Sequence, residues 1–164
     1  MKYNEELQVV LKSMFIAERK YFEATQKVQV LDFLRFLNHQ NIIRNSYINR
    51  LVEVFERKNI GLNIFEIEKR KYALDSNDRN VGWDIEKYDQ KGSVKECLEQ
   101  DQELIKQCTN CINNIDISLE ILEILTEMCT ALIFYNIDGQ NLIKEHTKKY
   151  YDQQSLVKRA KSMV

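Results

Sequence analysis

Apolar side chains recur along this chain at alternating three- and four-residue steps, the spacing that lines one face of a helix. Between about residues 4 and 26, Leu7, Leu11, Met14, Glu18, Tyr21 and Thr25 fall on one stripe. Asn4 is placed to cap that helix, and Glu5 and Glu6 suit the positive end of its dipole. Glu18 is the anomaly, a carboxylate where the pattern asks for an apolar residue. A second helix is predicted over about residues 30–58, with Leu34, Leu37, Asn41, Ile48, Leu51 and Phe55 on its inner face and Asn59 and Gly61 as terminators. Only a few residues around Val28 separate the two helices, so they form an antiparallel hairpin.

The third helix is expected to open after Gly92, where Ser93-Val94-Lys95-Glu96 fits a capping box. Val94, Leu98, Asp101, Ile105, Cys108 and Ile112 mark its inner stripe, and it stops near Asn113-Asn114. Asp116 or Ser118 then caps a fourth helix with Ile121, Leu125, Met128, Leu132 and Tyr135 inward. This helix continues beyond Asn136, with Gly139 as a weak point. A second hairpin results.

About thirty residues lie between Asn59 and Gly92, long for a structureless loop in one domain. Leu62, Phe65, Tyr72, Trp83, Ile85 and Tyr88 predict that parts of it pack down, with a short helix at Trp83–Tyr88 and an exposed loop at Asp75–Asn80. Hairpin, long crossover, hairpin is the order of ferritin-like four-helix bundles. The expectation is therefore an all-α fold with the bundle in residues 1–145 and a basic tail or helix in residues 146–164.

Composition agrees. The 164-residue chain has no proline and four glycines, which leaves long helices uninterrupted. A net charge of -1 supplies no global field to draw in nucleic acid or anionic lipid. The start is acidic and lacks the apolar run of a signal peptide, and Ala131–Tyr135 is too short to span a bilayer. Nucleic-acid and membrane partners are not expected. A cytoplasmic location is the expectation, and with it free thiols at Cys97, Cys108, Cys111 and Cys129.

The stretch Glu18-Arg19-Lys20-Tyr21-Phe22-Glu23-Ala24, followed by a second helix with Arg44 at its middle, resembles an uncharacterised bacterial ferritin-like family, a four-helix-bundle domain of unknown function. Trp83, the acidic run Glu96, Glu99, Asp101 and Glu103, and the polar position Asn136 belong to the same resemblance, which covers about residues 5 to 145. It implies a ferritin-like fold and assigns no activity.

Ferritin-like di-iron proteins take one Glu from each of two helices and a Glu-x-x-His pair from each of the other two. Glu18 stands where the first-helix carboxylate belongs, and Asp101 stands for the third-helix one. The pairs then fail. The second helix offers Asn41-Ile42-Ile43-Arg44, a permanent cation in place of histidine. The fourth has no Glu-x-x-His, and Asn136 is a poor ligand. His39 and His146 complete no motif. The expectation is a salt bridge between Glu18 and Arg44 in place of the metal. Weak residual metal candidates are Glu18, Asp101 and Glu99.

Cys108-Thr109-Asn110-Cys111 is a C-x-x-C near the end of its helix, where the dipole opposes thiolate formation. Core thiols are expected there. His39 is expected at the surface or partly packed. Phe15, Phe22, Phe33, Phe36 and Phe55 read as core or interface, with Phe33 and Phe36 as candidates for a dimer patch. No catalytic or cofactor-binding set emerges. The functional expectation is a non-enzymatic bundle acting through self-association, as a homodimer, or through a protein partner. Two alternatives stand beside it: a metal-binding oxidase or storage relative with an altered carboxylate site, and a carrier of a small apolar ligand held between the helices.

Overall fold

The computed structural model describes residues 2–61, 89–114 and 116–163. Among the described residues there are four helices: α1 (Lys2–Lys27), α2 (Leu31–Arg57), α3 (Gln90–Ile112) and α4 (Leu119–Ser162). Strands are absent among the described residues. The expected short helix at Trp83–Tyr88, the packed aromatics before it and the loop at Asp75–Asn80 lie outside the described residues.

Three residues join α1 to α2. Gln90 closes this corner: its Oε1 accepts hydrogen bonds from the amides of Gln29 (2.8 Å) and Val30 (2.9 Å), groups that would otherwise be orphaned at the start of α2. At the other end Asn59 takes a left-handed conformation (φ 52°), and the amides of Asn59 and Ile60 bond back to the carbonyls of Glu56 and Phe55. Asparagine tolerates that backbone better than most residues, so the helix stops there. Gln8 Nε2 then donates to the Gly61 carbonyl (2.7 Å), which draws the chain leaving α2 toward α1.

Helix directions follow from side-chain pairs. Asn114 meets Glu6 and Asp101 meets Tyr21, so α3 runs antiparallel to α1. Arg57 meets Glu120, Arg50 meets Glu127, and Phe33 stacks on His146, so α4 runs antiparallel to α2. Helices α2 and α3 therefore point the same way, and the chain between them connects opposite ends of the bundle. The helices pack in a ring in which α1 and α4 each touch both α2 and α3.

Two apolar clusters fill the bundle. The larger holds Leu7, Leu11, Met14, Leu51, Phe55, Leu104, Leu125 and Leu132; the smaller, at the other end, holds Tyr21, Phe33, Leu37, Val94, Leu98 and Ile143. Between them lie the buried polar residues Gln40, Arg44, Asp101 and Asn136.

Several expectations need correction. Asn4 lies within α1, which begins at Lys2. Helix α3 begins at Gln90 after Asp89, so Gly92 and Ser93 are helical and the capping box does not form the N-terminus. Gly139 is not a weak point: a Cβ there would meet Leu98 Cδ2 at 2.7 Å and Phe36 Cζ at 2.8 Å. Glycine is what lets α4 approach its neighbours at that level. Phe33 is fully buried and Phe36 packs half-buried beside it, so neither forms a surface patch. The tail is continuous with α4, whose 44 residues extend about 66 Å at 1.5 Å per residue. Its residues 148–163 are exposed.

Candidate functional site

The chemistry of this chain concentrates in the polar layer between the two clusters. Asp101 sits on the inner stripe of α3 and Arg44 on that of α2, across the diagonal of the bundle. Both side chains are essentially sealed from solvent (0% and 1% exposed). Arg44 Nε donates to Asp101 Oδ1 (3.1 Å) and Arg44 Nη2 donates to Oδ2, a two-pronged pairing that suits a planar guanidinium. Tyr21 of α1 donates its hydroxyl to the same Oδ2 (2.6 Å). Its ring also lies under the guanidinium, with Arg44 Cζ 3.8 Å from the centroid. Arg44 Nη1 is held by the backbone carbonyl and the Oε1 of Gln40, both at 2.8 Å. Asn136 of α4 completes the layer, donating to the Leu98 carbonyl (2.9 Å).

Each charged group is thus met by several partners, which is the condition for burying charge without a large penalty. Burial pushes the Asp101 carboxyl above its ordinary range, while the guanidinium and the Tyr21 hydroxyl act in the opposite direction. Burial likewise holds the Tyr21 hydroxyl well above the usual phenol value, in its neutral, donating form. Gln40 Nε2 is buried with no hydrogen-bond partner, the one loose donor in the layer.

The carboxylate that meets Arg44 is Asp101, on α3, in place of the expected Glu18. The reason is register. The buried seam of α1 runs through Leu7, Val10, Leu11, Met14, Ala17, Tyr21 and Ala24, so Ala17 takes the inner position and Glu18 lies half-buried at its edge. Glu99 is exposed on α3. Among the described residues, no three Asp, Glu, His or Cys side chains gather as a metal would need. His39 is exposed and meets the edge of Tyr135 (5.6 Å between centroids). His146 packs on Phe33 (4.8 Å), its Nδ1 buried without a partner. Tyr21 was legible only as an apolar stripe position. Its pairing with Asp101 would have been visible as two polar groups on inner stripes of neighbouring helices.

No protein-family model, curated protein or solved structure matches the chain. The resemblance to a ferritin-like family accordingly rests on the residues quoted for it.

The cysteines are free and buried. Burial raises the thiol of Cys97 to about 12 and that of Cys111 to about 11, and pushes Cys108 higher still. The C-x-x-C pair is therefore the reverse of an activated redox motif. These groups stay protonated in the fold, whereas unfolded thiols ionise near pH 8.5. Their contribution to stability is complete below that value and lost as pH rises through the folded values. Thermal melts are expected to be flat with respect to these thiols up to about pH 8.5 and to fall from there to about pH 12. A thiol reagent at neutral pH should label the cysteines far more slowly in the folded chain than in denaturant. Rapid labelling of Cys108 or Cys111 in the folded chain would contradict this.

The exposed ion pairs carry little by comparison. Arg50 with Glu127, and Arg57 and Lys58 with Glu120, tie α2 to α4 at the surface, where such pairs contribute roughly 0–1 kcal/mol.

Proposed function

We propose that this chain is a non-enzymatic bundle of the ferritin-like type, without a di-iron ligand set, that acts by associating with itself or with a protein partner. The observation that carries the reading is Arg44. A permanent cation stands at the middle of the core, where ligand pairs from facing helices belong in di-iron bundles, and the Asp101 carboxylate pairs with it. A second positive charge at that level would repel the guanidinium in a medium where charges interact strongly. The parallel course of α2 and α3, with one long connection between hairpins, supports the ferritin-like order.

Function then falls to surfaces. Helix α4 carries much of the exposed apolar surface, including Ile133, Phe134, Ile137, Tyr151, Leu156 and Val157. The metal part of the reading is tested by elemental analysis of protein purified without a metal-affinity tag, with and without iron or manganese added during expression. The expected result is far less than one equivalent of either metal. Near-stoichiometric metal that is lost on Asp101→Asn would overturn it.

A further inference from the structure

The outer face of α4 carries a stripe that sets it apart from a chain with 30% charged residues. Thr126, Thr130, Ile133, Phe134, Ile137 and Asn141 follow one another at helical spacing, all exposed and none charged. Phe134 is 64% exposed and Ile137 53%. The stripe lies opposite the buried positions Leu125, Met128, Leu132 and Asn136.

The two ends of the stripe have opposite charge. Glu123 lies one turn before Thr126, and Lys144 and Lys148 follow Asn141 on the same face, all exposed. Such a strip is complementary to itself when reversed. We infer that α4 pairs with α4 of a second copy, antiparallel about a two-fold axis near Phe134. Apolar centre then meets apolar centre, and Glu123 of each copy faces the turn bearing Lys144 and Lys148 of the other. Glu145, on that same turn, falls on the flank with Glu127 and Asp138, of which Glu127 is paired with Arg50 of α2. A parallel pairing would instead oppose Glu123 to Glu123 and lysine to lysine, which is unfavourable. One patch serving both copies is the requirement of a closed two-fold dimer. The basic end of α4 beyond Lys149 passes the end of the second bundle and stays uncovered.

This inference rests on the self-association part of the proposed function, and the test separates the two. Light scattering on the full chain, eluted at rising micromolar concentrations, should give twice the 19.6 kDa chain mass. Phe134→Glu should halve that mass while leaving the helical circular dichroism unchanged, since Phe134 supports no core, and should remove any concentration dependence of the melt. Glu123→Lys should weaken the dimer, and adding Lys144→Glu and Lys148→Glu should restore it. A dimer that survives Phe134→Glu and Ile137→Glu overturns this interface and leaves self-association through another face. A wild-type chain that elutes at 19.6 kDa throughout overturns the interface and self-association together.

Discussion

Asp101→Asn destabilises the bundle by about 3–5 kcal/mol, because it leaves the Arg44 guanidinium buried without a counter-charge. Asparagine preserves the size of the side chain, so the loss isolates the charge and not a cavity. Against a domain stability of about 5–15 kcal/mol, such a loss removes a large share of the total. The measurement is urea unfolding followed by circular dichroism at neutral pH, compared with the wild type. Tyr21→Phe is the graded companion: it removes one hydrogen bond to the carboxylate, an effect of about 1.5–3 kcal/mol, and keeps the ring under the guanidinium. An Asp101→Asn chain that melts with the wild type would mean that Arg44 reaches water.

Phe33→Ala is expected to cost about 3–5 kcal/mol, the range for truncating a buried aromatic. Phe33 is fully buried in the smaller apolar cluster, and His146 of α4 stacks on its ring. The truncation leaves a cavity in the cluster and removes a contact that seats α4 just before its exposed end. Hydrogen exchange should therefore quicken most from Ile143 onward, ahead of the rest of α4, with the larger cluster least affected. Phe22→Ala is the control: Phe22 is 45% exposed, and its loss should change the melt little. Equal effects from the two substitutions would contradict the placement of Phe33 in the core.

The helices were legible because their apolar period is regular over many turns, and proline is absent to interrupt it. Leu7, Leu11, Leu51, Leu125 and Leu132 all proved buried where the spacing put them. Helix starts were less legible. Ser93 looked like a cap, yet Gln90 does the capping, and for α2, through a contact between residues sixty apart in the chain. Only the tertiary fold brings those together. Gly139 shows the same limit: a glycine in a helix reads as a break until its neighbours are known to crowd it.

The site was half legible. Arg44 on an inner face demanded a carboxylate, and Glu18 on the neighbouring helix of the same hairpin was the local choice. The true partner, Asp101, lies on the other hairpin, across the bundle. A helical stripe wide enough to admit either Ala17 or Glu18 does not decide which faces the core. The alternation through Val10, Met14, Ala17, Tyr21 and Ala24 does, once the packing selects it.

Arg44 and Asp101 satisfy one another inside the bundle, and a double-mutant cycle of Arg44→Met and Asp101→Leu tests this most directly. Each single variant should lose several kcal/mol, and the double variant should be more stable than either, which requires a coupling larger than either single loss, above about 3 kcal/mol. Losses that simply add, to within about 0.5 kcal/mol, would contradict a shared buried pair.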